Sequence, residues 1–198
     1  MLAEIARTIR LHPKPLKEKP LTAIIQSIAT QTGRHADSVD SFLARFRGRI
    51  QSLASTQDLV TSSNWRGADL RDLVNGQISR YVADPAVSVR LSGDFPYLNP
   101  NAALHIGLAL HELAVNSVSF GALATADGFV SISLTRIDGA RDGDLTFLWT
   151  ETIPDTGPGE RQKRFGSAAL ERVVPAALGG KAELLIEDRQ LTYTLVIP

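Results

Sequence analysis

The sequence predicts an α+β protein in which an N-terminal helical hairpin precedes an α/β sandwich. Two observations support this class. Residues 21–63 contain two runs of apolar side chains at helical spacing, joined by a short connection. After residue 67, helical runs are mixed with alternating runs that are typical of largely antiparallel strands. We therefore expect two units, residues 1–63 and residues 67–198, with their boundary at Trp65-Arg66-Gly67.

Before the boundary, the predicted helices span residues 2–11, 21–32 and 37–63. Prolines 13 and 15 end the first helix, because proline lacks an amide hydrogen and restricts the residue before it. Pro20 suits the first position of the second helix, and Gly33 suits its end. Asp37 or Ser38 is the expected N-cap of the third helix.

After the boundary, helices are predicted over residues 69–82, 101–123 and 166–178. Predicted strands span residues 87–91, 129–137, 145–149, 182–187 and 191–197. Residues 138–143 form the turn of one expected hairpin, and Gly179-Gly180 ends the last helix.

The composition excludes several functional classes. Lysine plus arginine and aspartate plus glutamate each number 21, and no basic stretch suggests a nucleic-acid groove. Because the sequence contains no cysteine, disulfides, thiolate metal sites and cysteine nucleophiles are excluded. No apolar run approaches the length of a membrane span, and the N-terminus lacks a secretory signal. We expect a cytoplasmic protein that binds neither membrane nor nucleic acid.

The long central helix carries the first candidate site. Glu112 and Asn116 lie four residues apart and therefore project from the same helix face. A carboxylate beside an amide suits a hard cation, or the orientation of a water or a phosphate. The alternative is an ordinary pair on a solvated surface.

Three features of the sequence belong together: the segment HELAVNSVSFGAL, the pair Trp149 and Glu151, and the segment FGSAALERVVPAALGG. In that order, they resemble the N box, the W-x-E motif and a later glycine box of the HWE (HisKA_2-type) histidine kinases. The resemblance implies a dimerisation and phosphotransfer hairpin followed by a GHKL (Bergerat-type) ATP-binding sandwich. It also implies that Asn116 binds Mg²⁺ through ATP, that Glu112 is its acidic partner, and that His111 is the family's characteristic histidine.

The resemblance extends to cofactor and partners. It implies ATP-binding roles for His111, Asn116, Trp149, Glu151, Asp155, Gly157, Gly159, Phe165, Gly166 and Ser167. In the family, two hairpins pair as a four-helix bundle, so a homodimer through helices 21–63 is expected. A plain hairpin packed on its own neighbour is the open alternative. Asp155 contacts adenine if Asp155-Thr156-Gly157-Pro158-Gly159 is the family's D-x-G-x-G motif, but the same letters also fit an ordinary turn.

Several positions depart from the family pattern. Ser119 replaces a lysine, Arg164 replaces a glycine, and Thr152-Ile153-Pro154 stands where the family has Gly-Gly-Pro. The loss of lysine removes a phosphate counter-charge. We therefore expect ATP and Mg²⁺ to bind weakly or not at all.

The phosphoacceptor histidine is also missing. Counting back from the matching segment, Leu16 occupies its position, and Gln57 replaces the histidine of the second helix. His12 is the nearest imidazole, but it lies four residues too early and directly before a proline. His35 falls in a connector, and His105 is interpreted as a packing residue.

These observations leave three functional hypotheses. The first is a degenerate kinase core that binds a response-regulator receiver domain or a partner histidine kinase. The second is an active ATP-dependent protein-histidine kinase, with His12 or a partner's histidine as acceptor. The third is an ATP-independent phosphotransfer protein that uses His12. We expect the first.

Overall fold

A computed structural model of the chain describes residues 19–34, 36–82, 84–93, 95–136, 144–153, 168–187 and 189–198. The helices are α1 (Lys19–Arg34), α2 (Val39–Ser62), α3 (Leu70–Ile78), α4 (Pro85–Ser88), α5 (Pro100–Phe120) and α6 (Val174–Leu178). The strands are β1 (Ala68–Asp69), β2 (Val89–Gly93), β3 (Tyr97–Leu98), β4 (Val130–Arg136), β5 (Leu145–Thr152), β6 (Lys181–Glu187) and β7 (Gln190–Ile197). This combination of helices and strands confirms the predicted α+β class.

Helices α1 and α2 form the predicted hairpin. Ser38 rather than Asp37 is the N-cap of α2, because its side-chain oxygen accepts a hydrogen bond from the Ser41 amide at 3.1 Å. Helix α1 passes through Gly33, where we expected it to end, and stops at Arg34. Glycine keeps its amide hydrogen, so it weakens a helix without breaking the hydrogen-bond ladder.

Five of the described strands form one sheet in the order β2-β4-β5-β7-β6. Strand β2 runs parallel to β4, whereas the other neighbours are antiparallel. Trp149 lies at the centre of the sheet, opposite Ile132 on one side and Tyr193 on the other, and all three side chains are fully buried. The largely antiparallel character predicted from alternation is therefore confirmed. The two-residue pairing of β1 with β3 was not predicted.

Helix α5 packs against this sheet and is the central element of the core. It begins after Asn99, whose side-chain oxygen accepts a hydrogen bond from the Ala102 amide at 2.9 Å, and Pro100 takes the first helical position. Every residue from 102 to 114 is buried. A helix that is buried all round requires covering elements on several sides. Helices α2, α3 and α6 provide them.

Several predicted boundaries differ from the structure. Helix α5 ends at Phe120 rather than at residue 123. Helix α3 ends at Ile78 rather than at residue 82. The strand expected from residue 87 begins at Val89, because Asp84 caps the short helix α4 and Pro85 starts it.

The helix expected over residues 166–178 is not a regular α-helix throughout its described part. Residues 169–173 form a π-helical turn that leads into α6, and Gly179 ends α6 with φ 66°. Pro175 cannot donate the backbone hydrogen bond that a regular α-helix needs at this point. The Tyr193 hydroxyl donates instead to the Leu170 carbonyl at 3.0 Å. Residues 166 and 167 lie outside the described residues.

Two glycines let α2 approach α5 closely. A Cβ atom at Gly48 would lie 3.2 Å from the His111 ring, and one at Gly107 would collide with the Thr56 hydroxyl. Polar bonds cross the same seam: Ser52 Oγ donates to the Gly107 carbonyl at 3.3 Å. The buried residues Ile24, Ile28, Leu53 and Val60 of the hairpin belong to one apolar cluster with α5 and the sheet.

The expected boundary lies in a tight turn. Asn64 and Trp65 adopt positive φ angles of 55° and 60°, and Gly67 has φ 132°. Ser63 Oγ stabilises the turn by donating to the Gly67 carbonyl at 2.6 Å and accepting from its amide at 3.2 Å. The division into residues 1–63 and 67–198 stays a prediction. Among the described helices, none has the length and apolar character needed to cross a membrane.

Candidate functional site

Helix α5 carries His111 and Glu112 side by side, and Asn116 one turn after Glu112. Glu112 is buried, with 8% of its surface exposed, whereas Asn116 is half-buried and Ser119 is exposed. The burial of Glu112 excludes the solvated-surface alternative for this residue. Its carboxylate must therefore have a specific partner, because an unpaired buried charge is strongly unfavourable.

Arg49 of α2 is that partner. Its Nε lies 2.6 Å from Glu112 Oε1, and its Nη2 lies 2.7 Å from Oε2. The same guanidinium donates from Nη1 to Thr32 Oγ1 of α1 at 2.9 Å. The Arg49 side chain thus connects three helices, and it forms a bidentate ion pair with the two carboxylate oxygens of Glu112.

His111 lies in the same seam between α2 and α5. Its Nδ1 lies 2.9 Å from the Tyr81 hydroxyl, and a Cβ atom at Gly48 would lie 3.2 Å from its ring. Burial lowers the pKa of His111 and raises the pKa of Tyr81. The imidazole and the phenol are consequently both neutral near pH 7, and the phenol is suited to donate to Nδ1. These contacts are with protein groups, and a nucleotide-binding role for His111 stays a prediction.

Trp149 and Glu151 of the W-x-E motif point to the same side of β5, because alternate residues of a strand share a face. Glu151 Oε1 accepts from Trp149 Nε1 at 3.1 Å. Its Oε2 accepts from the Ala122 amide at 2.8 Å and from the Ser117 hydroxyl. Both side chains are buried. The hydrogen bonds of the motif therefore hold β5 against the end of α5 and the turn after it.

The environment of Glu151 changes its acidity. Burial raises the pKa of its carboxyl group, and the hydrogen bonds from Ser117, Ala122 and Trp149 oppose this shift. With both oxygens engaged inside the protein, Glu151 has a clear structural role. A direct cofactor contact by Trp149 or Glu151 stays a prediction.

Sequence reasoning missed Arg49 and Ser117. Arg49 lies within the apolar stripe of α2, between Phe46 and Leu53. An arginine at such a position signals a buried partner, because long charged side chains are rarely buried without one. Ser117 gave no comparable signal, since its bond to Glu151 depends on how β5 lies against α5.

Several predicted site residues lie outside the described residues: His12, Asp155, Gly157, Gly159, Phe165, Gly166 and Ser167. Leu16, His35 and Arg164 also lie outside them. His105 is described and buried, with Nδ1 2.9 Å from the Asn101 carbonyl, which agrees with a packing role. Within the described ranges, no cluster of three or more His, Asp or Glu side chains has the arrangement of a metal site.

The described residues fit a magnesium nucleotide only in part. Asn116 carries an amide oxygen of the kind that binds a hard cation, but both oxygens of Glu112, one turn away, are paired with Arg49. A cavity of about 340 Å³ opens at the C-terminal end of α5, where Gly121, Ala122 and Ile153 belong to its lining. Ile153 directly precedes the segment 154–167, in which most of the predicted phosphate and adenine contacts fall.

Helices packed on a mixed, largely antiparallel sheet give the chain the fold of the histidine kinase ATP-binding (GHKL) domains. The fold is similar to that of the histidine kinase domain from the Erythrobacter litoralis EL346 blue-light activated histidine kinase, with a TM-score of 0.52 and 16% identity. The match covers 90% of this chain and 83% of that chain.

Sequence comparisons show which histidine kinases the chain is similar to. Residues 18–95 match the family model "HWE histidine kinase". The chain is 29% identical over 185 residues to a blue-light-activated histidine kinase of Rhizobium johnstonii, and 24% identical over 176 residues to one of Brucella ovis. These matches confirm the resemblance of the chain to histidine kinases of the HWE type.

The matched region is only part of each relative. The alignments cover 92% and 89% of this chain, but 51% of the Rhizobium protein and 36% of the Brucella protein. The chain thus spans about half the length, or less, of the curated relatives that it matches.

Proposed function

We propose that this chain is a degenerate HWE-type core that acts in two-component signalling by binding a partner rather than by phosphorylating itself. The observation that carries the proposal is Leu16, which occupies the position of the family's acceptor histidine. Leucine has no nucleophilic atom. Phosphoryl transfer depends chiefly on positioning, so a histidine elsewhere in the sequence is a poor substitute.

The arrangement around Glu112 supports the same proposal. Arg49 engages both oxygens of the carboxylate that the family resemblance makes the acidic partner of Asn116. The exposed Ser119 lies three residues after Asn116, where the family has lysine. A phosphate group loses one charge-assisted contact there, which costs about ten- to a hundredfold in affinity. We therefore propose weak or absent binding of ATP and Mg²⁺.

The proposed partner is a response-regulator receiver domain or a second histidine kinase, and the proposed location is the cytoplasm. A homodimer through residues 21–63 is also proposed. Ile24, Ile28, Leu53 and Val60 are already buried within the chain. The apolar side chains that the hairpin leaves exposed for a partner include Leu21, Val39 and Leu43.

The active-kinase alternative is favoured by one observation, the retention of Asn116 at the magnesium-binding position. It requires an acceptor such as His12, which directly precedes Pro13. The phosphotransfer alternative requires a labile phosphohistidine at His12 without ATP.

Labelling separates these functions. We expect no acid-labile label on the wild-type protein after incubation with γ-labelled ATP and Mg²⁺. An active HWE kinase serves as the positive control for the assay. Label on the wild type that disappears in His12→Ala would refute the proposal and support the active kinase. Label acquired by His12 only from a phosphorylated receiver domain would support the phosphotransfer protein.

A further inference from the structure

The guanidinium of Arg49 is the polar junction between the helical hairpin and α5. It reaches Thr32 in α1 and Glu112 in α5, with N–O distances between 2.6 and 2.9 Å. Thr32 in turn donates to the Ile28 carbonyl at 2.6 Å. The side chains of Arg49 and Glu112 are only 13% and 10% exposed. Their charges are therefore removed from water and depend on each other.

The surrounding seam is polar as well as tight. Gln77 Nε2 donates to the Ser52 carbonyl and to Thr56 Oγ1, each at 3.1 Å. Gln77 Oε1 is buried and has no hydrogen-bond partner among the described residues. Buried ion pairs and polar groups gain less from association than an apolar core of the same size, because their desolvation offsets much of their attraction. Specific polar contacts therefore act together with the apolar packing of Ile24, Ile28, Leu53 and Val60 to hold the hairpin against α5.

The junction engages the carboxylate nearest to Asn116. Glu112 and Asn116 are neighbours on one face of α5, since residues four apart in a helix lie one above the other. A hard cation carried by a nucleotide at Asn116 prefers carboxylate oxygen as a ligand. Arg49 and such a cation cannot both hold the two oxygens of Glu112 in the observed bidentate geometry.

We infer that Arg49 is a regulatory residue that couples docking of the hairpin to closure of the magnesium-nucleotide site, by competing with Mg²⁺ for Glu112. This inference rests on the nucleotide site discussed under the proposed function and names its regulation. While α2 is docked, Glu112 is withheld from the cation. A ligand that draws Glu112 away from Arg49 favours the undocked hairpin, and an undocked hairpin favours that ligand by the same factor.

The test measures nucleotide affinity and hairpin docking separately. Binding of a non-hydrolysable ATP analogue is titrated with and without Mg²⁺, and docking is followed by hydrogen exchange of the α2 amides. Arg49→Met keeps much of the side-chain length but removes the charge. We expect about tenfold tighter binding with Mg²⁺, no gain without Mg²⁺, and faster exchange in α2. Arg47→Met, at an exposed position of the same helix, is the matched control and should change neither quantity.

A second variant shows whether the gain passes through Glu112. In Arg49→Met/Glu112→Gln, the Mg²⁺-dependent gain should disappear, because the freed carboxylate is no longer present. If Arg49→Met does not fold, Arg49→Lys retains the charge but loses the bidentate geometry, and it should show a smaller gain of the same sign. In the wild type, saturating Mg²⁺-nucleotide should speed exchange in α2.

Three results would overturn the inference: unchanged or weaker Mg²⁺-nucleotide binding in the folded Arg49 variant, a gain that survives Glu112→Gln, or no binding by any variant at millimolar nucleotide. The last result leaves the proposed partner-binding function intact. Acid-labile self-phosphorylation has the opposite consequence, because it refutes that function while the competition at Glu112 remains measurable. The two proposals therefore fail on different observations.

Discussion

Gly107 of α5 lies against Thr56 of α2 so closely that a Cβ atom at Gly107 would collide with the Thr56 hydroxyl. The same Cβ would lie 3.3 Å from Leu73 Cδ1. Thr56 cannot turn away easily, since β-branched side chains have few rotamers in a helix and its hydroxyl donates to the Ser52 carbonyl at 3.1 Å. The glycine therefore sets how closely the hairpin approaches the central helix.

Gly107→Ala should lower the free energy of unfolding by about 1–2 kcal/mol. Overpacking of a buried site costs about 1–3 kcal/mol, and the better helix propensity of alanine returns up to about 1 kcal/mol. Urea unfolding gives the measurement. The matched control is Gly76→Ala in α3, where the nearest atom to a new Cβ is Leu59 Cδ1 at 3.9 Å. That variant should be stabilised by about 0.5–1 kcal/mol. Equal effects of both substitutions would contradict the close approach.

Glu151→Ala should destabilise the protein by about 2–4 kcal/mol, because it leaves the buried donors of Ser117, Ala122 and Trp149 without their acceptor. Hydrogen exchange should increase first at the end of α5 and in the turn that follows. Glu183→Ala, at an exposed position of β6, is the control and should stay within about 0.5 kcal/mol of the wild type. A small effect of Glu151→Ala on stability would mean that the W-x-E motif does not hold β5 against the end of α5.

Stability should decrease as the pH falls below about 6.5, the ordinary pKa of histidine. Burial lowers the pKa of His105 and of His111 in the folded state. At His111, Glu112 raises the pKa, whereas Arg49 and Arg80 lower it further. The folded protein therefore binds fewer protons than the unfolded chain. The contribution of each histidine is fully present above the unfolded pKa and is lost as the pH falls toward the folded pKa, at about 1.4 kcal/mol per pH unit.

Substitution of one histidine at a time separates its contribution to the pH dependence of stability from that of other titratable groups. Glu151 acts in the opposite direction, because its raised pKa gives stability that is present at low pH and lost as the pH rises through the folded value. Urea unfolding at about pH 7.5 and about pH 5.5 should show a smaller pH difference in His105→Gln and in His111→Gln than in the wild type. An unchanged difference in both variants would show that neither histidine is held neutral by the fold.

Much of the fold was predictable because its signals are local. Ser38 acts within its own element, because its side chain accepts a hydrogen bond from the Ser41 amide, and alternating apolar residues predicted strands β4, β5 and β7. The helical turn at Pro85–Ser88 was missed because it is shorter than the window in which helical periodicity becomes visible. The π-helical turn before Pro175, which receives a hydrogen bond from the Tyr193 hydroxyl, left no periodic signal in the sequence.

The sequence names candidate residues for the site but does not give their contacts. The motif letters located Glu112, Asn116 and Glu151, whereas the partners of the two carboxylates are distant in the sequence: Arg49 is 63 residues before Glu112, and Ser117 is 34 residues before Glu151. Charge pairs of this kind depend on how helices and strands pack. A sequence pattern within one element therefore cannot identify them.

Restoring the missing phosphate counter-charge should strengthen nucleotide binding. Ser119 is exposed and lies three residues after Asn116, so the two side chains are neighbours on α5. Ser119→Lys places an ammonium group where the family has lysine, and one charge-assisted phosphate contact should improve the Kd for Mg²⁺-ATP by about tenfold. Isothermal titration provides the measurement.

Ser62→Lys adds the same charge at an exposed position of α2 and should leave the Kd unchanged. If both lysines strengthen binding equally, the gain comes from net charge rather than from a phosphate contact beside Asn116. If Ser119→Lys changes nothing while the wild type already binds at micromolar concentration, the pocket does not depend on this position and the prediction of weak binding is wrong.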